Sequence, residues 1–578
     1  MADANQINYF AETDFRGKKL RFGIKEADRA KHLYIIGKTG MGKSTMMENM
    51  AIQDIQNGEG LAVIDPHGSF ADKMLDYVPM ERIEDVIYFA PFDMEHPVSF
   101  NVMEDVGPDR RHLVASGLMS AFKKIWIDAW SARMEYILNN TLLALLEYPD
   151  ATILGVNRML SDKDYRRAVV DNIKDPSVKS FWKDEFAKYG DRYMQEAGAA
   201  IQNKVGQFTS NPLIRNIIGQ PKSAFDIRKL MDEKKILIIN LSKGQVGEQN
   251  ASLLGGMLIT KIYLSAMSRA DVPPETLRFL PNFYAYVDEF QSFANESFAD
   301  ILSEARKYKL SLTIAHQYIS QMEESVRDAV FGNVGSTVSF RIGPFDAEVL
   351  ERVFAPTFTQ EDLVNLSFTQ IYLTLQIDGI GSRPFSATTI GPFPKPKTSY
   401  RKEILEHSRK TFARPRAVAE SEIRAWHDKS FAIPKEFKPR PEGAMPPYQE
   451  GRPQYQERRP LRPEGKPRFG APTQTARPQP KFQPRLEPEP RIEPSSLPPV
   501  SLSVLKKKEP QSRHVEQLRE LLKTVTAKEE AEKQKEKPPT EEKPKVAAAP
   551  KPASPPPLAN IPNQPKEVPK DVLEKILE

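Results

Sequence analysis

The run Gly37-Lys38-Thr39-Gly40-Met41-Gly42-Lys43-Ser44, followed by Thr45, holds the sharpest chemical signal in the chain. It fits the pattern G-x-x-x-x-G-K-[ST], whose glycines let the backbone turn tightly enough for successive N–H groups to face phosphate oxygens. An apolar run precedes it and a helical stretch follows, so the positive end of that helix adds to the anion site. Lys43 is then expected to reach the β- and γ-phosphates, and Ser44 to give its hydroxyl to Mg2+, a cation that prefers oxygen donors.

Binding phosphate is not hydrolysis, which needs acids and a base. Phe283-Tyr284-Ala285-Tyr286-Val287-Asp288-Glu289 is an apolar run that ends in two carboxylates. Asp288 at the strand tip can hold the Mg2+ water shell, while Glu289 can orient or polarise an attacking water. A third cluster follows at the spacing of one helix and one strand: Ser303-Glu304-Ala305-Arg306-Lys307-Tyr308, then 310–315, then His316-Gln317. The Gln317 amide falls where it could sense a γ-phosphate. Arg306 is a candidate for the guanidinium that stabilises transition-state charge in a neighbouring subunit's site, and Arg341 is a second candidate for that role. Asp65-Pro66-His67-Gly68 ends the strand after the phosphate-loop helix, and His67 is too isolated to be a metal ligand.

Two other nucleotide signatures are excluded. Leu241-Ser242-Lys243-Gly244-Gln245 resembles the signature of ABC transport ATPases, but it follows a strand and lies far upstream of Asp288. The guanine-selecting order N-K-x-D is absent, because Asn172-Ile173-Lys174-Asp175 has its lysine displaced. The expected nucleotide is therefore ATP, with Mg2+.

These residues need a scaffold. Before Arg401 short β-rich runs alternate with helical stretches, the mark of an α/β domain with a mostly parallel sheet. Strands are expected at 33–36, 61–64, 86–89, 236–240, 283–287, 310–314, 337–341 and 371–376. Between the third and fourth of these the periodicity is helical, so residues 110–232 read as an inserted all-helical domain. Its Trp126, Trp130 and Trp182 read as core anchors. The expected organisation is an N-terminal extension (1–30), an α/β domain from 31–109 and 233–400, the insertion, a helical linker (401–430) and a disordered proline-rich tail (431–578).

Composition agrees with that division. Most of the 49 prolines of this 578-residue chain lie after Phe431, where apolar periodicity stops. Short helices are expected within the tail at 515–535 and 572–577. Arg452, Arg458, Arg459, Arg462, Arg468 and Arg485 are interleaved there with Tyr448, Tyr455, Phe469 and Phe482, a composition that fits a solvated linker or nonspecific nucleic-acid binding. The 82 basic and 77 acidic side chains leave a net charge of only +5, so any DNA contact must be local. With zero cysteines the chain has no disulfide and no thiolate metal site. No apolar run of roughly 20 residues is apparent, which leads to the expectation of a cytoplasmic protein, free or peripheral at the inner membrane through a partner.

The phosphate loop, Asp65-Pro66-His67-Gly68, Pro97-Val98-Ser99-Phe100-Asn101, the helical insertion, Val287-Asp288-Glu289-Phe290 and the Ser303 to Gln317 cluster occur together in one order. In that order they resemble the DNA-pumping ATPases of type IV secretion and conjugation, their coupling proteins above all, over most of 31–392. The resemblance implies a RecA-like P-loop domain and a homohexameric ring with DNA, expected to be single-stranded, in its pore. It implies Arg306 as an arginine finger, Gln317 as a γ-phosphate sensor, and an insertion that faces DNA, a relaxase or secretion-channel components. Coupling proteins typically begin with transmembrane helices, which this sequence does not display. A DNA-processing or packaging translocase without an export channel, a nucleotide-gated adaptor and a protein exporter therefore remain open at this point.

Overall fold

The computed structural model describes residues 6–14, 18–126, 130–189, 198–429 and 431. The expectations for the tail lie outside these residues. In chain order the strands are β1 (Ile7–Glu12), β2 (Arg21–Lys25), β3 (Leu33–Ile36), β4 (Gly60–Asp65), β5 (Val86–Phe89), β6 (Ile236–Asn240), β7 (Phe283–Val287), β8 (Leu310–His316), β9 (Ser336–Ser339), β10 (Gln370–Thr374), β11 (Gln376–Ile377), β12 (Ile380–Gly381) and β13 (Phe385–Thr389). All but β11 and β12 join one 11-stranded sheet in the order β2-β1-β13-β10-β9-β3-β8-β7-β4-β6-β5.

From β9 to β5 the sheet is parallel throughout. Every residue of β3, β4, β6, β7 and β8 is buried, because helices cover both faces, and this is why those segments read as unbroken apolar runs. The other end is antiparallel. There β1, β2 and β10 mix buried with half-exposed or exposed positions and carry a weaker sequence signal. The N-terminal residues, expected to lie apart as an extension, thus belong to the sheet itself: β1 pairs with both β2 and β13.

One face of the sheet packs against the helices Lys43–Gln56 and Ser69–Tyr77, with Met46, Met47, Met50, Phe70 and Met74 in its core. The other face carries the helices Glu248–Met267 and Pro344–Phe354, and its core runs without interruption into the helical insertion. Among the described residues no strand lies between β5 and β6. The insertion docks where Arg111–Ile125 meets Glu248–Met267. A Cβ placed on Gly117 would lie 2.3 Å from Thr260 Cγ2, so only glycine permits the approach. Trp182 is buried in this core and Trp126 stacks on Phe122.

Two further expectations change. The stretch Glu248–Asp271 is long and apolar enough to cross a membrane, although no such run was apparent in the sequence; 72% of its apolar window is buried inside the domain, as in a core helix. The segment expected as a helical linker is helical, but as two helices packed against the rest of the domain. Arg401–Phe412 lies against β5, where Ser408 Oγ accepts the Tyr88 N–H at 2.9 Å. Arg416–Asp428 lies against the insertion, where Arg158 donates to the Trp426 carbonyl at 2.9 Å.

Candidate functional site

The C-terminal ends of β3, β8, β7 and β4 bring the chemically able residues together. The Lys43–Gln56 helix follows β3, and the loop between them rests on its neighbours: Gly37 N–H donates to His316 O at 3.3 Å and Lys38 N–H to Arg341 O at 2.8 Å. Two glycines are required by geometry. At Gly37 a Cβ would lie 2.5 Å from Phe340 Cβ, and Gly42, which starts the helix, has φ +115°, the left-handed region that L side chains avoid. Gly40 also has positive φ, and Met41 packs partly buried against the methionine-rich core. Thr39 lies exposed within the loop, and Thr45 is the third residue of the helix.

Lys43 is 5% exposed, and its ammonium donates to the carbonyls of Gly37 at 2.7 Å and Lys38 at 3.4 Å. Burial pulls its pKa below the usual lysine range, opposed by the charges of Glu289 and Asp288. A buried cation that leans on weak carbonyl acceptors is poised for a stronger, anionic partner. Ser44 donates its hydroxyl to Asp288 Oδ2 at 3.2 Å. Burial, and then the like charges of Glu289 and Asp65, raise the Asp288 carboxyl to about 6. These donors are hard oxygens close to each other, the chemistry that suits Mg2+ rather than a softer metal.

Glu289 adopts φ +46°, ψ +49°, which breaks the strand alternation after Asp288 and is an uncommon conformation for a residue other than glycine. Its carboxylate accepts from Gln291 Nε2 at 2.5 Å and from Gln317 Nε2. Gln317, predicted to meet a γ-phosphate, therefore contacts Glu289 directly. His316, the residue before Gln317, is fully buried and burial lowers it to about 3, so it is neutral, and its Nδ1 shares a hydrogen bond with the Tyr34 hydroxyl at 3.1 Å. Asp65 caps the next helix by accepting the N–H groups of His67 at 2.7 Å and Ala71 at 3.0 Å, while His67 itself is exposed.

Arg306 is placed elsewhere. It is exposed in the turn before β8, whereas Gln317 follows that strand. Six steps along β8 at roughly 3.3 Å each separate the two by about 20 Å. Arg341 lies at the phosphate-loop edge, and its guanidinium has no hydrogen-bond or ion-pair partner among the described residues.

No sequence motif announces what holds this edge in place. Arg29, fully inside the protein, donates to Asp54 Oδ1 and Oδ2 at 2.7 Å each and to the Tyr286 hydroxyl at 2.8 Å, and sits 3.6 Å over the Tyr284 ring. Asn8 Nδ2 adds a bond to Asp54 Oδ1 at 2.8 Å. This clamp ties the N-terminal hairpin and the phosphate-loop helix to β7, the strand that delivers Asp288. Its partners are scattered over the chain, and no local motif marks them. Gln291 could have been found, since it stands two residues after Glu289.

Residues 22–344 match the family model described as the type IV secretion-system coupling protein DNA-binding domain. No curated protein sequence matches the chain. Among solved structures, the plasmid coupling protein TrwB in complex with ADP and Mg2+ is similar at a TM-score of 0.49 and 15% identity, over 68% of this chain and 97% of that one. VirB4 of Thermoanaerobacter pseudethanolicus is similar at a TM-score of 0.44 and 13% identity, over 70% of this chain and 99% of that one.

Proposed function

The chain belongs to the type IV secretion-system coupling protein DNA-binding domain family, and from that membership we propose that it is a Mg2+-dependent ATPase that assembles into a hexameric ring and translocates DNA. The observation that carries the reading is the meeting of Lys43, Ser44, Asp288 and Glu289 within one buried edge of the sheet, joined by the Ser44–Asp288 and Gln317–Glu289 hydrogen bonds.

On this reading Lys43 exchanges the Gly37 and Lys38 carbonyls for the β- and γ-phosphates of ATP. Ser44 and an ionised Asp288 would hold Mg2+, which would supply positive charge to offset that of the phosphates. Glu289, fixed by Gln291 and Gln317, orients a water for in-line attack and takes its proton. The Gln317 amide loosens or tightens that grip according to whether a γ-phosphate is present. Arg306 from an adjacent copy supplies the guanidinium that its own chain holds at the far edge. The insertion and the basic groups of the pore engage the DNA backbone, or a relaxase bound to it, and ring closure and opening with each turnover advance the strand. Secretion-channel components are the expected docking partners, at the cytoplasmic side of the inner membrane.

The test is ATP hydrolysis by the full chain with no DNA, with single-stranded DNA and with duplex, beside Lys43→Ala and a sizing run. Stimulation by DNA in an oligomeric fraction supports the motor. A rate indifferent to DNA in that fraction, or unchanged by Lys43→Ala, sinks it.

A further inference from the structure

The phosphate loop accounts for a triphosphate but not for a base. The outer neighbour of Gly42 is Thr389, the last residue of β13: a Cβ at Gly42 would lie 3.8 Å from Thr389 Oγ1. Thr389 in turn holds the turn before β10. Its N–H donates to the Thr369 carbonyl at 2.9 Å and its hydroxyl at 3.3 Å. Thr369 has φ +65°, a conformation that a β-branched residue rarely adopts, and its own hydroxyl donates to the Phe368 carbonyl at 2.6 Å. Gln370 closes the turn with 3.2 Å bonds to and from Ser367. The turn is thus fixed in a strained form, and it leaves Phe368 66% exposed, with Thr389 and Thr369 between it and Gly42.

Beside it runs a second fixed segment. Asn49, on the phosphate-loop helix, donates to the carbonyls of Ile390 at 3.2 Å and Gly391 at 2.9 Å, and a Cβ on Gly391 would meet nothing within 4 Å. The space at Gly391 is open, and the turn that carries the exposed Phe368 ring stands at the same edge of the sheet as the phosphate loop, because β10 pairs with β9 and β9 with β3. Strain is tolerated where surrounding bonds over-determine it, which is characteristic of ligand clamps. A large apolar ring held out in water beside an anion cradle suits a ligand that is charged at one end and flat and aromatic at the other.

We propose that Phe368 is the platform on which the purine base of the nucleotide stacks. The proposal rests on the nucleotide reading of the Gly37–Ser44 loop given above. Stacking needs only a π-face, so it serves adenine and guanine alike and makes the base a source of affinity rather than of discrimination.

The experiment compares Mg2+-ATP, Mg2+-GTP and inorganic tripolyphosphate, which has no base, on wild type, Phe368→Ala, Phe368→Trp and Lys43→Ala. Affinity is read by calorimetry, and KM and kcat by turnover. Phe368→Ala is expected to weaken ATP and GTP by about tenfold each, through KM rather than kcat, while tripolyphosphate binds as before and Phe368→Trp restores both nucleotides. ATP affinity unchanged in Phe368→Ala overturns the platform and leaves the phosphate site intact. Equal loss of tripolyphosphate also overturns it, since the turn would then act only by supporting the loop. Wild type that binds neither ATP nor tripolyphosphate overturns the nucleotide reading itself.

Discussion

At one end of β8, Gln317 grips Glu289 within a buried edge where Lys43, Ser44 and Asp288 already contact the loop or each other. At the other end, about 20 Å away, Arg306 stands exposed in a turn with no partner among the described residues. The first end is pre-organised: its groups are desolvated, held by named bonds and supported by the Arg29–Asp54 clamp. The second can act on a nucleotide only by leaving its own chain. On the proposed function, binding and water activation stay within one copy and the last positive charge comes from the next, which would couple hydrolysis to how the copies are arranged.

The most severe break in that comparison is Arg306→Ala. It is expected to lower turnover by about 10³–10⁵-fold while leaving ATP affinity near wild type, as measured by nucleotide titration beside steady-state rates. A similar loss of affinity would place the arginine's role in folding or in its own site. Arg341→Ala in parallel sharpens the assignment, because Arg341 already lies at the phosphate-loop edge; if its loss of turnover exceeds that of Arg306→Ala, the charge is supplied within one chain.

Glu289→Gln comes next, with an expected loss of about 10²–10⁴-fold in turnover and retained ATP binding. The isosteric amide keeps hydrogen-bonding capacity but cannot take a proton. Wild-type rates in this variant would move the base elsewhere.

Arg29→Ala tests the scaffold under the first end alone. Removing one partner of a buried ion pair leaves Asp54 unpaired, at an expected cost of about 3–5 kcal/mol in urea unfolding. An effect below about 1 kcal/mol would show that the clamp is not what fixes the edge.

The smallest effect is the pH dependence. Asp288 titrates at about 6 because burial, Glu289 and Asp65 all disfavour its charge. On the proposed function its ionised form would hold Mg2+, so Mg2+ affinity should rise by about tenfold per pH unit up to 6 and level off above it. Saturating Mg2+ should move that limb to lower pH, since binding favours the anion. Asp65→Asn, which removes a neighbouring charge and keeps one of its two backbone N–H bonds, should do the same without metal. A limb that stays put in Asp65→Asn would remove Asp65 from the electrostatics of the site.

The parts of this picture that could be read from sequence are the contiguous ones. The phosphate loop is one run, the acidic pair terminates one run, and the buried parallel strands are continuous apolar segments because both of their faces are covered. What escaped was distributed or half-exposed. The strands β1, β2 and β13 lie in the antiparallel part of the sheet, where Arg21 and Tyr9 face solvent and Ser386 and Thr388 interrupt the apolar pattern. The Arg29–Asp54–Tyr286 clamp joins residues far apart in the chain and has no periodicity to reveal it. Gln317 follows the end of β8, but its bond to Glu289 depends on the left-handed turn at that residue, which no local pattern announces. The apolar stretch from Glu248 to Asp271 shows the converse: composition alone permits a membrane span, and only packing against Arg111–Ile125 and the sheet explains it as core.

The central claim, that the catalytic set is divided between the two ends of β8 in neighbouring copies, is tested most directly by mixing Lys43→Ala with Arg306→Ala. Each alone should be inactive. In mixed assemblies some sites pair an intact phosphate loop with an intact Arg306 from the neighbour, so ATP hydrolysis should reappear and peak near equal proportions. Absence of any recovered activity in assemblies shown by sizing to contain both variants would contradict the divided site.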